Sequence, residues 1–236
     1  MVLRLFHIKD FKMKRLTLLF LLCVATISSW AHDFKVDGIY YNITSSTDLT
    51  VAVTYGGSSY NDYDYINEYR GAVEIPSSVT SNNKTYSVTS IEDYTFYECS
   101  ITSINIPEGV TSIGESVFYG CNKLTSINIP KSVTSIGKLA FYYSGITSIT
   151  IPEGVTSIGD YAFHNCKNLV SINVPRSMIS IGKSAFYGCK SLTSINIPGS
   201  VTSIGDDTFH NCSSLASITI SNSVTSIGNH AFSGCI

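Results

Sequence analysis

One phrase of 22 or 23 residues is written again and again from about Tyr86 to the end of this chain. Its clearest copy, Leu192 to Cys212, reads L-T-S-I-N-I-P-G-S-V-T-S-I-G-D-D-T-F-H-N-C. A landmark Phe returns at Phe96, Phe118, Phe141, Phe163, Phe186, Phe209 and Phe232. A landmark Ile keeps step at Ile91, Ile113, Ile136, Ile158, Ile181, Ile204 and Ile227. Self-similarity at a fixed period of this size marks a solenoid, in which each unit packs only on its neighbours, and it overrides any local reading of the fold.

The unit from Val155 shows how one coil is expected to close. V-T-S-I-G predicts a short strand, ended where Gly159 lets the chain turn at little steric cost. D-Y-A-F-H-N-C (160–166) predicts one to two helical turns, with Asp160 at the start and Ala162, Phe163 and Cys166 facing inward. L-V-S-I-N-V predicts a second strand with Ile172 and Val174 inward and Ser171 and Asn173 outward. Pro175 stops it, since a residue that cannot donate belongs at a strand boundary. No coil can bury its own Val, Ile, Leu and Phe. Stacking at about 4.8 Å sets each against its own copy.

The expected fold is therefore a repeat solenoid, mainly β with short helical turns. Charge supports the stacking. The residue after each S-I-G runs Glu115, Lys138, Asp160, Lys183, Asp206, Asn229, and the residue after each strand Pro runs Glu108, Lys131, Glu153, Arg176, Gly199. Alternating sign is expected to remove repulsion between adjacent coils.

The iterated pattern L-x-x-I-x-I-P-x-S-V-x-S-I-G-x-x-A-F-x-x-C resembles the BspA-like class of leucine-rich repeat, found in bacterial surface and secreted proteins. The resemblance covers about 150 residues. F-K-V-D-G-I-Y-Y-N-I (34–43) also resembles the β opening common before such repeats. The usual leucine-rich repeat places Asn or Cys after the strand, whereas here Pro follows it and Cys precedes the Leu, so the usual horseshoe curvature is not carried over. The resemblance implies binding roles, such as adhesion to host proteins or other cells, with no catalytic residues and no transferable ligand motif.

Three segments are expected. Lys12, Lys14 and Arg15, the apolar run Leu16–Ile27 and Ser29-Trp30-Ala31 read as a secretory signal peptide over 1–31. Cleavage there leaves 10 basic against 16 acidic side chains, a net of −6. That sign provides no electrostatic footprint for nucleic acid or for an anionic membrane. Residues 32–85 lack the repeat, read as β, and are expected to cap the stack. Residues 86–236 form about seven units, the last stopping halfway at Ile236. An apolar coil end of this kind is an association hazard. It is expected to continue in a longer product or to self-associate end to end.

The six cysteines outside the signal, Cys99, Cys121, Cys166, Cys189, Cys212 and Cys235, share one repeat position, with Ser144 in the place of the missing one. An even count in an exported chain allows disulfides, but equivalent residues on stacked coils point in parallel, which suits a buried thiol column better. No C-x-x-C occurs and no metal is expected. His164 and His210 follow the landmark Phe, a place shared with Tyr97, Tyr119 and Tyr187, and read as solvated positions of the short helix. No G-x-S-x-G, phosphate loop or opposed carboxylate pair is present. An enzyme is not expected, nor is a cofactor.

Two contact surfaces are expected instead. The outward positions of the Pro-ended strand, among them Ser126, Asn128, Ser148, Thr150, Ser171, Asn173, Ser194 and Asn196, form a neutral, regular face of hydroxyls and amides. It reads either as plain soluble β surface or as a binding face. The stretch S-S-Y-N-D-Y-D-Y-I-N-E-Y offers Tyr60, Tyr63, Tyr65 and Tyr69 as a contact loop, because Tyr gives rigid amphipathic area. The expected function is a secreted or cell-surface binding and adhesion protein, with a protein ligand on a host or other cell first and a glycan second. The alternative is a structural spacer without a ligand of its own.

Overall fold

The computed structural model describes residues 32–57 and 69–235. The segment 1–31 expected to be a signal peptide, and Tyr60, Tyr63 and Tyr65 of the expected contact loop, lie outside the described residues.

Seven strands precede or open the repeats: β1 (Phe34–Val36), β2 (Ile39–Ser45), β3 (Thr50–Thr54), β4 (Arg70–Glu74), β5 (Ser78–Ser81), β6 (Lys84–Ile91) and β7 (Ser100–Asn105). From there the coils build two columns of short parallel strands. One column holds the S-I pairs: β8 (Ser112–Ile113), β9 (Ser135–Ile136), β11 (Ser157–Ile158), β13 (Ser180–Ile181), β15 (Ser203–Ile204) and β17 (Ser226–Ile227). The other holds the Pro-ended strands: β10 (Ser148–Thr150), β12 (Ser171–Asn173), β14 (Ser194–Ile197) and β16 (Ser217–Ile220).

Register follows the repeat. Ser157 pairs with Ser180 and Ile158 with Ile181, while Ser148 pairs with Ser171 and Ile149 with Ile172. Like side chains therefore stack on like. The Phe rings stand 5.1–5.5 Å apart between centroids from Phe96 to Phe232, and the Phe141 and Phe163 planes differ by only 3°. Phe163 is fully buried, as are Val155, Ala162, Cys166 and Leu169. Burying one such Phe contributes about 2–3 kcal/mol, and the column multiplies that gain coil by coil.

The segment before the repeats joins the same ladder. The β1–β2–β3 meander is antiparallel, and β3 then pairs in parallel with β6, so the sheet runs β1-β2-β3-β6-β8-β9-β11-β13. Tyr41, Val51 and Val53 cover the first coil, and Phe34 stacks on Tyr41 at 5.4 Å. At the other end Ile227 is 54% exposed and Phe232 only partly buried.

The bracket between the two strands corrects the expectation of helical turns, because the described residues contain no helix. In the coil from Val155 the N–H groups of Ala162, His164 and Cys166 donate to carbonyls three residues back, at 3.3, 3.1 and 3.1 Å. Those of Tyr161, Phe163 and Asn165 donate instead to Lys183, Ala185 and Tyr187 of the next coil, at 3.0, 2.8 and 2.7 Å. An α-helix would consume its donors internally. Here every second donor is turned outward along the stack, so the bracket is itself a ladder. The geometry requires left-handed residues at Tyr161 (φ 59°) and Asn165 (φ 56°).

The glycine that ends an S-I pair serves close approach rather than turning in every coil but that of Gly205, where the nearest atom to a Cβ would be 3.3 Å away. A Cβ on Gly137 would stand 2.6 Å from the carbonyl carbon of Gly114, and one on Gly159 equally near that of Gly137. Real Cβ atoms do not tolerate this, so the column admits only glycine where two coils touch backbone to backbone.

The charge ladders also do more than alternate. Asp93, Asp160 and Asp206 accept the backbone N–H of Glu115, Lys183 and Asn229 on the following coil, at 2.7, 2.9 and 2.6 Å. Glu153 does the same for Arg176 at 3.2 Å, and Glu108 for Lys131 and Ser132 at 3.3 and 3.2 Å. Lys138 and Glu115 form a side-chain ion pair at 3.4 Å. An acid on one coil thus satisfies the next coil's amide, and a base there adds favourable charge.

Candidate functional site

The Pro-ended strands bring all eight predicted face residues onto one surface. Ser126, Ser148, Ser171 and Ser194 form one exposed row, and Asn128, Thr150, Asn173 and Asn196 form a second beside it. Pairing sets the register coil to coil where strands form: Thr150 lies opposite Asn173 and Asn196 opposite Thr219, and Asn105 bridges Asn128. Alternation explains the exposure, since Ile149, Ile172 and Ile195 take the inward positions and are buried. The rows extend to β4, where the Asn105 amide donates to the Glu74 carboxylate. Between these anchors the face is uncharged. Chemically it offers donors and acceptors at the strand spacing of about 4.8 Å, matched to an extended hydrogen-bonding partner.

Tyr69 does not belong to a contact loop. Its side chain is 5% exposed, its hydroxyl donates to the Thr54 carbonyl at 2.6 Å, and its ring packs 4.8 Å from Phe96. It helps join the N-terminal strands to the Phe column. Its place at the far end of a Tyr-rich stretch gave no hint of that.

The six cysteines among the described residues are free thiols, and five are buried. From Cys121 onward each Sγ donates to a carbonyl of the preceding coil: Cys121 to Phe96 at 3.0 Å, Cys166 to Phe141 at 3.0 Å, Cys189 to Phe163 at 3.2 Å, Cys212 to Phe186 at 3.0 Å and Cys235 to Phe209 at 3.1 Å. The column therefore stitches each coil to the one before it. Burial pushes the Cys166 and Cys212 thiols up to about 12, so they are protonated and weakly nucleophilic at neutral pH. Ser144 keeps the position polar and lies 3.3 Å from the Cys166 sulfur.

His164 and His210 are not solvated helix positions. They belong to a second aromatic stack, Tyr97, Tyr119, Tyr142, His164, Tyr187 and His210, with centroids 4.5–4.8 Å apart and planes within 17° of each other. All six rings are half-buried. Desolvation lowers the His164 imidazole to about 4. Sequence reasoning missed this stack because it placed the residue after each Phe on a helix, where neighbouring coils would not align it. The signal was an aromatic or imidazole ring at that place in six successive coils. Among the described residues no group of three or more His, Cys, Asp or Glu is arranged to hold a metal, and no helix is long and apolar enough to cross a membrane.

A stack of identical coils with a Leu/Ile/Phe interior, strands in parallel columns and a regular polar face defines a leucine-rich repeat solenoid. The family model described as BspA type leucine rich repeat region matches residues 89–213 and 134–236, in six copies. The chain belongs to that family. No curated protein sequence matches it. A leucine-rich repeat protein from Bacteroides ovatus is similar at 33% identity, covering 86% of this chain with a TM-score of 0.67. The chain spans 57% of that protein's length. The leucine-rich repeat protein of T. pallidum is 27% identical over 86% of this chain and 88% of its own, with a TM-score of 0.73. The pneumococcal vaccine antigen PcpA shares the fold, at 16% identity over 85% of this chain and 67% of its own and a TM-score of 0.55. Leucine-rich repeat proteins of this kind are repeat modules for protein interaction.

Proposed function

We propose that the chain is an exported, non-enzymatic binding module that engages a protein ligand at a cell surface through the Ser/Asn/Thr face. The observation that carries this reading is the register: eight short polar side chains, all exposed, stand at the same two positions of four successive coils with no charge among them. Such a face suits multivalent hydrogen bonding, in which each rung adds little and the array adds much. The basic and apolar opening, Lys12 to Ile27, supports export. PcpA, which shares the fold, is described as a vaccine antigen, and this fits a role outside the cell. A glycan is the second ligand class, since it presents hydroxyls at comparable spacing.

The test is binding of the purified chain to immobilised host-matrix proteins and glycans. Saturable binding, lost in a Ser148→Arg/Ser171→Arg double variant, is the expected result. Binding that survives both substitutions removes this face from the mechanism. Absence of saturable binding to any member of the panel favours a spacer that positions another component.

A further inference from the structure

The residue two places after each landmark Phe forms a column of its own: Glu98, Gly120, Tyr143, Asn165, Gly188, Asn211, Gly234. Coils follow one another at about 4.8 Å, so a rung without a side chain opens a gap of roughly 10 Å between its neighbours. Gly120 is such a rung. It floors a cavity of about 410 Å³ lined by Glu98, Tyr119, Gly120, Asn122 and Tyr143. Gly188 differs in what flanks it, since both neighbouring rungs are Asn: Asn165 Oδ1 lies 2.5 Å from where its Cβ would be and Asn211 reaches across to the Tyr187 hydroxyl at 3.4 Å.

The lining has a definite chemistry. The Glu98 stem lies over Gly120, its Cγ 2.9 Å from where a Cβ would be. Glu98 is exposed, and among the described residues no Lys or Arg comes within ion-pair distance of its carboxylate. Tyr143 is 45% exposed and stands across the gap. Its ring already attracts one cation: the ammonium of Lys167, on the next coil, lies 5.7 Å from the centroid. Glu98 and Gly120 lie on the preceding coils, on the other side of Tyr143 along the stack from Lys167, and Tyr143 lines the cavity with them, while the Tyr142 ring packs against the Tyr143 ring at 4.8 Å and 68°. The half-buried Tyr119 ring forms the side wall. Asn122 supplies an exposed amide at the rim.

We propose that this slot takes an arginine side chain presented by a protein partner. A guanidinium is planar and weakly hydrated, stacks on an aromatic face and forks onto a carboxylate, and the slot offers one of each. A lysine ammonium would meet the same charge without the planar match. The slot lies on the bracket side of the coil, apart from the Ser/Asn/Thr face, and so would add a specific anchor to a repetitive surface. It also breaks the repeat's translational sameness: a partner that reads only the polar rows could slide by one coil, whereas an arginine in this slot would fix its register.

The test uses the chain itself with N-acetyl-arginine methylamide as probe, followed by amide ¹H–¹⁵N shifts. One cation–aromatic contact and one exposed ion pair together predict a dissociation constant of about 0.03–0.2 M. Saturable shifts at the Glu98, Gly120 and Tyr143 amides are expected. Glu98→Gln and Tyr143→Ala should each weaken binding by about threefold to fivefold, while Tyr143→Phe keeps it within about twofold. The neutral isostere N-acetyl-citrulline methylamide should produce no saturable shift. Unperturbed amide positions away from the slot would show that each variant still folds. Equal binding of the citrulline probe, an unchanged constant in Glu98→Gln, or linear shifts spread over the whole chain would each overturn the proposal.

Discussion

Gly182 and Gly159 meet backbone to backbone: a Cβ on Gly182 would stand 2.6 Å from the Gly159 carbonyl carbon. Neither residue has a left-handed φ, so the requirement comes from the neighbouring coil. Gly182→Ala should therefore destabilise the protein by about 2–3 kcal/mol, the cost of overpacking a rigid contact. Gly199→Ala, whose Cβ would meet only the Ser221 hydroxyl at 3.3 Å, should cost less than about 1 kcal/mol. Urea unfolding midpoints of the two variants check the contrast.

Phe163 is stacked between Phe141 and Phe186 at 5.1 and 5.4 Å. Phe163→Ala should cost about 3–5 kcal/mol, since the flanking rings cannot collapse into the space. In a linear array the loss also weakens the interface with both neighbours. Unfolding should broaden or split into two transitions, as read by circular dichroism against denaturant.

The thiol column predicts a fall in stability at alkaline pH. In the unfolded chain a Cys loses its proton near pH 8.5, whereas folded Cys166 and Cys212 hold theirs up to about 12. Between those limits the native state binds more protons, so unfolding becomes easier as pH rises, by up to about 1.4 kcal/mol per pH unit for each thiol. Below pH 8 the column has no such effect. Cys166→Ser should flatten the slope and keep the fold, since Ser144 already occupies that place in one coil. Melting temperatures at pH 7.5 and 10 measure both effects.

His164 predicts the opposite dependence on the acid side. Its pKa falls from 6.5 to about 4 in the folded chain through desolvation. Between those values the unfolded state binds the extra proton, so stability is full above pH 6.5 and declines as pH drops towards 4. His164→Tyr restores the ring found at Tyr142 and Tyr187. It should match the wild type at pH 7.5 and melt at a higher temperature than the wild type at pH 5. A larger drop for the variant than for the wild type would contradict the account.

The interior was legible in the sequence because only a fixed period places Phe163 over Phe141 and Ile158 over Ile136. The outward rows were legible for the same reason, through alternation about Ile149 and Ile172. The bracket was not. Alternating internal and inter-coil donors leaves no mark on hydrophobic periodicity, and Tyr161, Ser184 and Leu139 carry none of the usual preference for the left-handed region they adopt. The column at Gly120, Asn165, Gly188 and Asn211 did carry that preference, and a reading of Gly/Asn recurrence would have found it. Helix propensity misled at His164, and length along the chain misled at Tyr69.

The outward-turned amides of the bracket have a consequence for how such chains change in evolution. Tyr161, Phe163 and Asn165 present the same three donors to the next coil that Leu139, Phe141 and Tyr143 present to theirs. Any coil is thus a valid docking template for any other. A duplication or deletion of one whole period rejoins without disturbing the rest, so the number of coils is free to drift while the chemistry of each surviving surface stays where it was.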